Sequence, residues 1–210
     1  MHHKYWGTVS SNIHYKTLSA EETQKIIEHA KQIGCSVNSY IVTLFLQKYS
    51  NLSKVGIPVS IRQDKNEAMS NLTSGIYINY KYDVKKTFAQ NAMQVHQRIT
   101  SKLKRNKVFV LQFLARMPMT LIDAVLLHTY GSCGERLAEE TAKVMGYSGK
   151  NAKDIGISNL TVIDIPTSYG NYKINNIIFV PPAVSYSHNI FGVSTVNERM
   201  TISYHDISKI

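Results

Sequence analysis

The spacing of apolar residues changes along the chain between the two-residue period of strands and the 3.6-residue period of helices. Residues 8–18 carry β-branched and aromatic side chains with partial alternation, which predicts a half-buried strand. Two amphipathic helices are predicted to follow. The first starts at a capping box formed by Ser19 and Glu22 and stops at Gly34, and the second takes Ser36 as its N-cap.

Two strands and then a block of helices are predicted in the middle of the chain. The strands cover residues 54–62 and 74–82, and the polar stretch between them is expected to form a surface loop. The helices are predicted to start near Lys85 and Lys107, to continue over 120–128 and 137–145, and to end at Gly146. Pro118 should break or kink this block, because proline lacks the amide donor that a helix interior needs.

Four further strands are predicted after residue 149, at 156–165, 172–180, 190–195 and 200–205. The last two are expected to form a hairpin around Asn197 and Glu198. The sequence contains no internal repeat and no flexible linker. This order of elements predicts a single α+β domain over residues 1–210, a two-layer sandwich in which helices pack on one face of a mixed β-sheet.

Composition is consistent with a folded domain, because 43% of the residues are hydrophobic and 18% are charged. Cys35 and Cys133 are isolated, without the spacing of a disulfide scaffold or a zinc site, so we expect a reduced, cytoplasmic protein without a metal. No apolar run is long enough for a membrane span, and the first residues lack a signal-peptide core. Residues 1–7 are expected to be flexible or an addition to the natural sequence.

The chain is strongly basic, with 24 Lys and Arg against 14 Asp and Glu and a net charge of +10. The densest basic group contains Arg98, Lys102, Lys104, Arg105 and Lys107, near a predicted helix end. These cations either complement the helix dipole or contact phosphate, on a nucleotide-bearing thioester or a phosphopantetheinylated carrier protein. Nucleic acid fits less well, because the aromatic residues follow core periodicities and no RNA-binding aromatic motif is present.

Self-contained catalytic motifs are missing from the sequence. It has no P-loop, no dinucleotide-binding glycine pattern, no nucleophile elbow and no H-E-x-x-H. Of the eight histidines only His2 and His3 are adjacent, and the others are scattered singly along the chain. No catalytic triad can therefore be read from the sequence.

A collinear set of short segments resembles one known superfamily. After the two capped helices, residues 57–62 read IPVSIR, residues 71–79 read NLTSGIYIN and residues 157–160 read ISNL. With the closing strands, they resemble the C-terminal lobe of chloramphenicol-acetyltransferase-like acyltransferases, a superfamily that includes nonribosomal peptide synthetase condensation domains and alcohol acyltransferases. The resemblance covers nearly the whole chain and implies a CoA-dependent acyltransferase-like lobe.

The superfamily's catalytic signature, H-H-x-x-x-D-G, is absent. His2 and His3 are followed by Gly7 and Thr8 where the signature requires Asp and Gly. In the superfamily, the second histidine of the signature acts as general base on an alcohol or amine that attacks a thioester. The resemblance therefore implies half of a two-lobe enzyme, starting about where the second lobe begins and inactive without the N-terminal lobe.

Three residues receive supporting roles from the resemblance. Arg62 matches the arginine that pairs with the signature aspartate, and Ser158 and Asn159 match positions near the substrate tunnel, where they could stabilise an oxyanion or orient substrate. Each also has an ordinary structural explanation, a strand-end surface charge for Arg62 and local backbone hydrogen bonding for Ser158 and Asn159.

The implied partners follow from the same resemblance. No bound cofactor is expected, and the co-substrate would be acyl-CoA or a phosphopantetheine thioester. The partners would be the missing N-terminal lobe and a thioester donor or carrier protein. A lone lobe is also expected to expose apolar surface and to self-associate. The alternative is a non-catalytic binding or assembly module with the same fold.

Overall fold

The computed structural model describes residues 9–61, 73–105, 115–129, 133–148, 154–182 and 189–209. The helices within these ranges are α1 (Ala20–Ile33), α2 (Val37–Lys48), α3 (Phe88–Arg105), α4 (Met119–Thr129) and α5 (Arg136–Met145). The strands are β1 (Val9–Thr17), β2 (Lys54–Ser60), β3 (Thr73–Asn79), β4 (Ile155–Val162), β5 (Ser168–Tyr169), β6 (Tyr172–Lys173), β7 (Asn189–Val196) and β8 (Arg199–Lys209).

Six of these strands form one mixed sheet in the order β1-β8-β7-β4-β2-β3. Strand β4 pairs in parallel with both β2 and β7, whereas β1 with β8, β7 with β8 and β2 with β3 are antiparallel. Helices α2 and α3 cover one face of the sheet, where Leu46 and Val95 pack with Val55, Ile78 and Ile157 in the largest core cluster. The predicted α+β sandwich with helices on one face is confirmed.

Local signals at the ends of elements have the expected geometry. Ser19 and Glu22 form the capping box, and Gly34 ends α1 with a φ of 81°. Ser36 caps α2 by accepting the amide N–H of Ser39. The hairpin between β7 and β8 is confirmed, and both of its central residues, Asn197 and Glu198, have positive φ, as a two-residue type I′ turn requires.

The helical block is confirmed where it is described. Pro118 lies outside α4 and its carbonyl accepts the N–H groups of Leu121 and Ile122, so the proline separates α4 from the residues before it. The predicted start near Lys107 lies outside the described residues. Helices α4 and α5 form a hairpin with its own small core around Val125, Ala138 and Ala142. No described helix is long and apolar enough to cross a membrane.

The strand predicted at 172–180 is wrong. Only Tyr172 and Lys173 are in strand conformation, paired with β5. The residues that follow lie across β7 and β8, and serine side chains of these two strands donate to the carbonyls of the crossing segment. Ser194 Oγ donates to Ile177 O at 2.6 Å, and Ser203 Oγ donates to Phe179 O at 2.5 Å. Because these carbonyls bind hydroxyl groups, they do not join a strand ladder.

Candidate functional site

The predicted site residues are not all described. Arg62 and Lys107 lie outside the described residues, and so does the side chain of Arg105. The structure places Ser158 and Asn159 on β4, and Arg98, Lys102 and Lys104 on α3.

Ser158 and Asn159 are consecutive in β4 and their side chains point to opposite faces of the sheet. Ser158 is half-buried and pairs in register with Gly192, on the face opposite the helices. Asn159 lies on the helix face, where its Nδ2 donates to Asn38 Oδ1 of α2 at 3.4 Å and its Oδ1 accepts the N–H of Thr161 at 2.8 Å. The two side chains therefore do not form one site.

A polar network joins the N-terminus of α2 to α3. Nδ1 of His96 lies 3.4 Å from the amide nitrogen of Ser36 and 3.1 Å from Oγ of Ser39. Because the amide of Ser36 can only donate, Nδ1 accepts, and the ring proton of neutral His96 is on Nε2. Ser39 is fully buried, which keeps its hydroxyl away from any substrate. The Ser39–His96 pair therefore positions the two helices and is not a nucleophile with its base.

Cys35 lies next to this network and is buried. Burial raises the pKa of its thiol, so the thiol remains protonated at neutral pH and is a poor nucleophile. Within the described ranges, no three His, Cys, Asp or Glu side chains are close enough together to hold a metal ion.

A cationic cleft lies between α3 and β3, lined by Ile78, Asn79, Arg98, Ser101 and Lys102. Nη1 of Arg98 donates to the carbonyl of Asn79 at 2.6 Å, and the guanidinium carbon lies 5.3 Å from the centre of the Tyr80 ring. Nζ of Lys102 lies 4.8 Å from the centre of the Tyr77 ring. The structure therefore brings Arg98 and Lys102 to one edge of the sheet.

Lys104 does not join this cleft. Ile99 and Leu103 of α3 pack in the core. Arg98 comes one position before Ile99, and Lys102 comes one position before Leu103, so both cations lie on the same flank of the buried face of α3. Lys104 follows Leu103 and lies on the opposite flank. A phosphate contact by the basic group stays a prediction, and Lys104 cannot share it with the other two.

Comparison with known proteins gives matches among solved structures alone. No family model matches the sequence, and no curated protein matches it significantly. The EpoB nonribosomal peptide synthetase cyclization-docking bidomain from Sorangium cellulosum matches with a TM-score of 0.60 at 8% identity, over 99% of this chain and 38% of that chain. The first condensation domain of the CDA synthetase matches with a TM-score of 0.55 at 12% identity, over 95% of this chain and 40% of that chain.

The polyketide synthase associated protein 5 from Mycobacterium tuberculosis also matches, with a TM-score of 0.54 at 10% identity over 93% of this chain and 47% of that chain. The chain has a condensation-type fold. The predicted resemblance is therefore confirmed at the level of the fold. The chain spans less than half the length of each of these three structures.

Within the condensation-type fold, the candidate residues form two separate regions. Ser158 lies on the face of β4 opposite the helices, and the cationic cleft lies beside β3 at the edge of the sheet. Strand β2 separates β4 from β3, so the two regions are about 10 Å apart or more. A small substrate group could not contact both.

Proposed function

We propose that this chain is the C-terminal lobe of a two-lobe acyltransferase or condensation-type enzyme, which moves an acyl group from a CoA or carrier thioester to an alcohol or amine. The coverage supports this most strongly, because 99% of this chain aligns with only 38% of the cyclization-docking bidomain. The order of the motifs around residues 57–62, 71–79 and 157–160 supports the C-terminal half.

The general base of the reaction would come from the partner lobe. This chain has no H-H-x-x-x-D-G motif, so the N-terminal lobe would supply the histidine that takes a proton from the attacking alcohol or amine. Arg62 of this chain would pair with the aspartate of that motif and hold the histidine loop in place. Its role is that of a positioning residue.

Ser158 is the better candidate of the two β4 residues for contact with substrate. Its hydroxyl is half-buried on the face without helices, and a hydroxyl there could donate to the oxyanion that forms when the thioester carbonyl is attacked. Both polar atoms of the Asn159 amide are already engaged by Asn38 and Thr161. Asn159 would therefore fix the end of β4 against α2.

The second candidate is a non-catalytic binding or assembly module with the same fold. The absence of the histidine signature from this chain favours it. The coding region upstream of residue 1 distinguishes the two candidates, because an H-H-x-x-x-D-G motif in the same reading frame supports the enzyme and its absence supports the module. If the motif is present, expression of the extended chain in the cytoplasm and an assay with acyl thioesters test the activity directly.

A further inference from the structure

Strand β3 is an edge strand with free backbone groups. It pairs with β2 on one side, and no strand in the described part of the chain pairs with its other side. The main-chain N–H of Tyr80 donates to the carbonyl of Ser53, its partner in the register of β2 and β3. Because hydrogen-bonded pairs alternate along an antiparallel ladder, Ile78 and Ile76 also bond to β2. The residues between them point their main-chain N–H and C=O groups outward, away from β2. The residues of β3 whose main-chain groups point outward are Gly75, Tyr77 and Asn79.

The position of Pro58 agrees with this assignment. Pro58 of β2 lies opposite Gly75 and has no N–H group. A proline fits there without losing a ladder hydrogen bond, because the pair of residues does not exchange hydrogen bonds. The outward edge of β3 therefore presents donors and acceptors at every second residue.

One of these outward groups is bound by a side chain. Nη1 of Arg98 donates to the carbonyl of Asn79 at 2.6 Å, where the N–H of an added strand would donate. The Arg98 side chain is exposed, so it can leave this position without disturbing the core. The geometry shows that the Asn79 carbonyl is accessible to a donor from outside the sheet.

The cations of α3 follow the edge of β3 with matching spacing. Arg98 contacts Asn79 and Lys102 contacts Tyr77, so α3 runs antiparallel to β3 with one cation beside each of these two outward residues. Four residues of helix rise about 6 Å and two residues of strand about 6.6 Å, so the two rows remain in step. None of the described residues that line the cleft is acidic.

We infer that this edge binds an acidic peptide segment in extended conformation, which adds to the sheet beside β3. An N–H of the peptide replaces Arg98 at the Asn79 carbonyl, and the released guanidinium pairs with a carboxylate of the peptide. Lys102 pairs with the carboxylate two residues further along. An isolated phosphate would use the same cations but would make no hydrogen bonds to the outward N–H and C=O groups of Tyr77 and Gly75, whereas an added strand pairs with them, which favours a peptide. Such binding is independent of acyl transfer.

A labelled peptide in which Glu alternates with Thr tests the charge complementarity, with binding followed by fluorescence anisotropy at low salt. The double variant R98E/K102E is expected to bind at least about tenfold more weakly than the unmodified protein. K104E adds the same kind of charge change on the opposite flank of α3 and is expected to remain within about twofold. Circular dichroism confirms that these surface variants are folded. Absence of peptide binding by the unmodified protein overturns the inference. A loss of affinity per reversed charge that is the same in R98E/K102E and K104E also overturns it.

Two N-methylated forms of the same peptide test the backbone pairing. One form is methylated at the amides of odd residues and the other at those of even residues, so only one of them blocks the edge that faces β3. We expect one form to lose binding at least about tenfold and the other to bind as the parent does. Equal binding by the two forms overturns strand addition. Inorganic phosphate is added as a competitor, with chloride at the same ionic strength as the control. If phosphate displaces the peptide and chloride does not, the cleft binds free anions and the inference is overturned.

Discussion

The hydroxyl of Tyr80 donates to Oδ1 of Asn91 at 2.7 Å in the interior between β3 and α3. The same Oδ1 accepts the N–H of Asp83, and Nδ2 of Asn91 donates to the carbonyls of Asp83 and Thr87 at 3.0 and 2.9 Å. One fully buried side chain therefore supplies several of the hydrogen bonds that hold the connection between the strand and the helix. It also fixes the Tyr80 ring, against which Arg98 lies at the cationic cleft.

Replacement of Asn91 by Leu is expected to destabilise the protein strongly. The substitution removes the acceptor of the Asp83 N–H and an acceptor of the buried Tyr80 hydroxyl, which should cost about 1–3 kcal/mol in the free energy of unfolding. Urea denaturation measures the loss. Gln97→Leu, at an exposed position of the same helix, is the control and should change stability by less than about 0.5 kcal/mol. Equal effects of the two substitutions would show that Asn91 does not have this role.

Gly192→Ala is expected to displace the segment that crosses β7 and β8. A Cβ at residue 192 would overlap the carbonyl of Phe179 and lie 2.6 Å from Ser203 Oγ and 2.7 Å from Pro181 Cδ. The resulting strain should cost about 1–3 kcal/mol, measured by urea denaturation. Gly75→Ala is the matched control, since no atom lies within 4 Å of its Cβ position, and it should be neutral or slightly stabilising. A neutral Gly192→Ala would contradict the close packing of this segment.

Asp83 is expected to contribute a pH-dependent part of the stability. The N–H of Lys85 donates to the Asp83 carboxylate and holds the pKa of this group below its usual value of 3.8. The contribution is therefore present above that value and is lost as the pH falls through the lower pKa of the folded state. The unmodified protein should be more stable than Asp83→Asn at neutral pH, and the difference should vanish in acid. A difference in unfolding free energy that is constant with pH would contradict this role.

Self-association is expected through the α4–α5 hairpin. Leu137 and Val144 are 66% and 74% exposed and lie seven residues apart, on one side of α5. Sedimentation velocity should show a concentration-dependent increase in mass, and the double substitution L137K/V144K should abolish it. Val84→Lys, at an 82% exposed valine, is the control and should leave the association unchanged. A monomer at all concentrations would contradict this expectation.

Local signals predicted the element ends because their physical causes lie within a few residues. The capping box of Ser19 and Glu22 and the turn at Asn197 are examples. The contact between Ser39 and His96 was not predictable in this way, because 57 residues separate them and only the packing of α2 on α3 joins them. The strand predicted at 172–180 failed for a similar reason, since hydroxyl groups of distant strands bind its carbonyls.

The grouping of the basic residues on α3 could be predicted from the sequence only in part. Helical periodicity separates Lys104 from Arg98 and Lys102 as soon as Ile99 and Leu103 are assigned to the core, which the apolar spacing of the sequence indicates. The position of the edge strand beside them required the sheet order, which no pattern in a single sequence contains.

Acyl transfer by the two lobes together tests the proposed function most directly. The chain would be co-expressed with the H-H-x-x-x-D-G lobe from its natural reading frame and supplied with acyl-CoA or an acyl-phosphopantetheine thioester and a panel of alcohols and amines. Release of the free thiol reports the transfer. We predict that the pair is active, that neither lobe is active alone, and that Arg62→Ala lowers the rate by about tenfold or more while Lys104→Ala does not. A folded two-lobe protein that transfers no acyl group to any acceptor would contradict the proposed function.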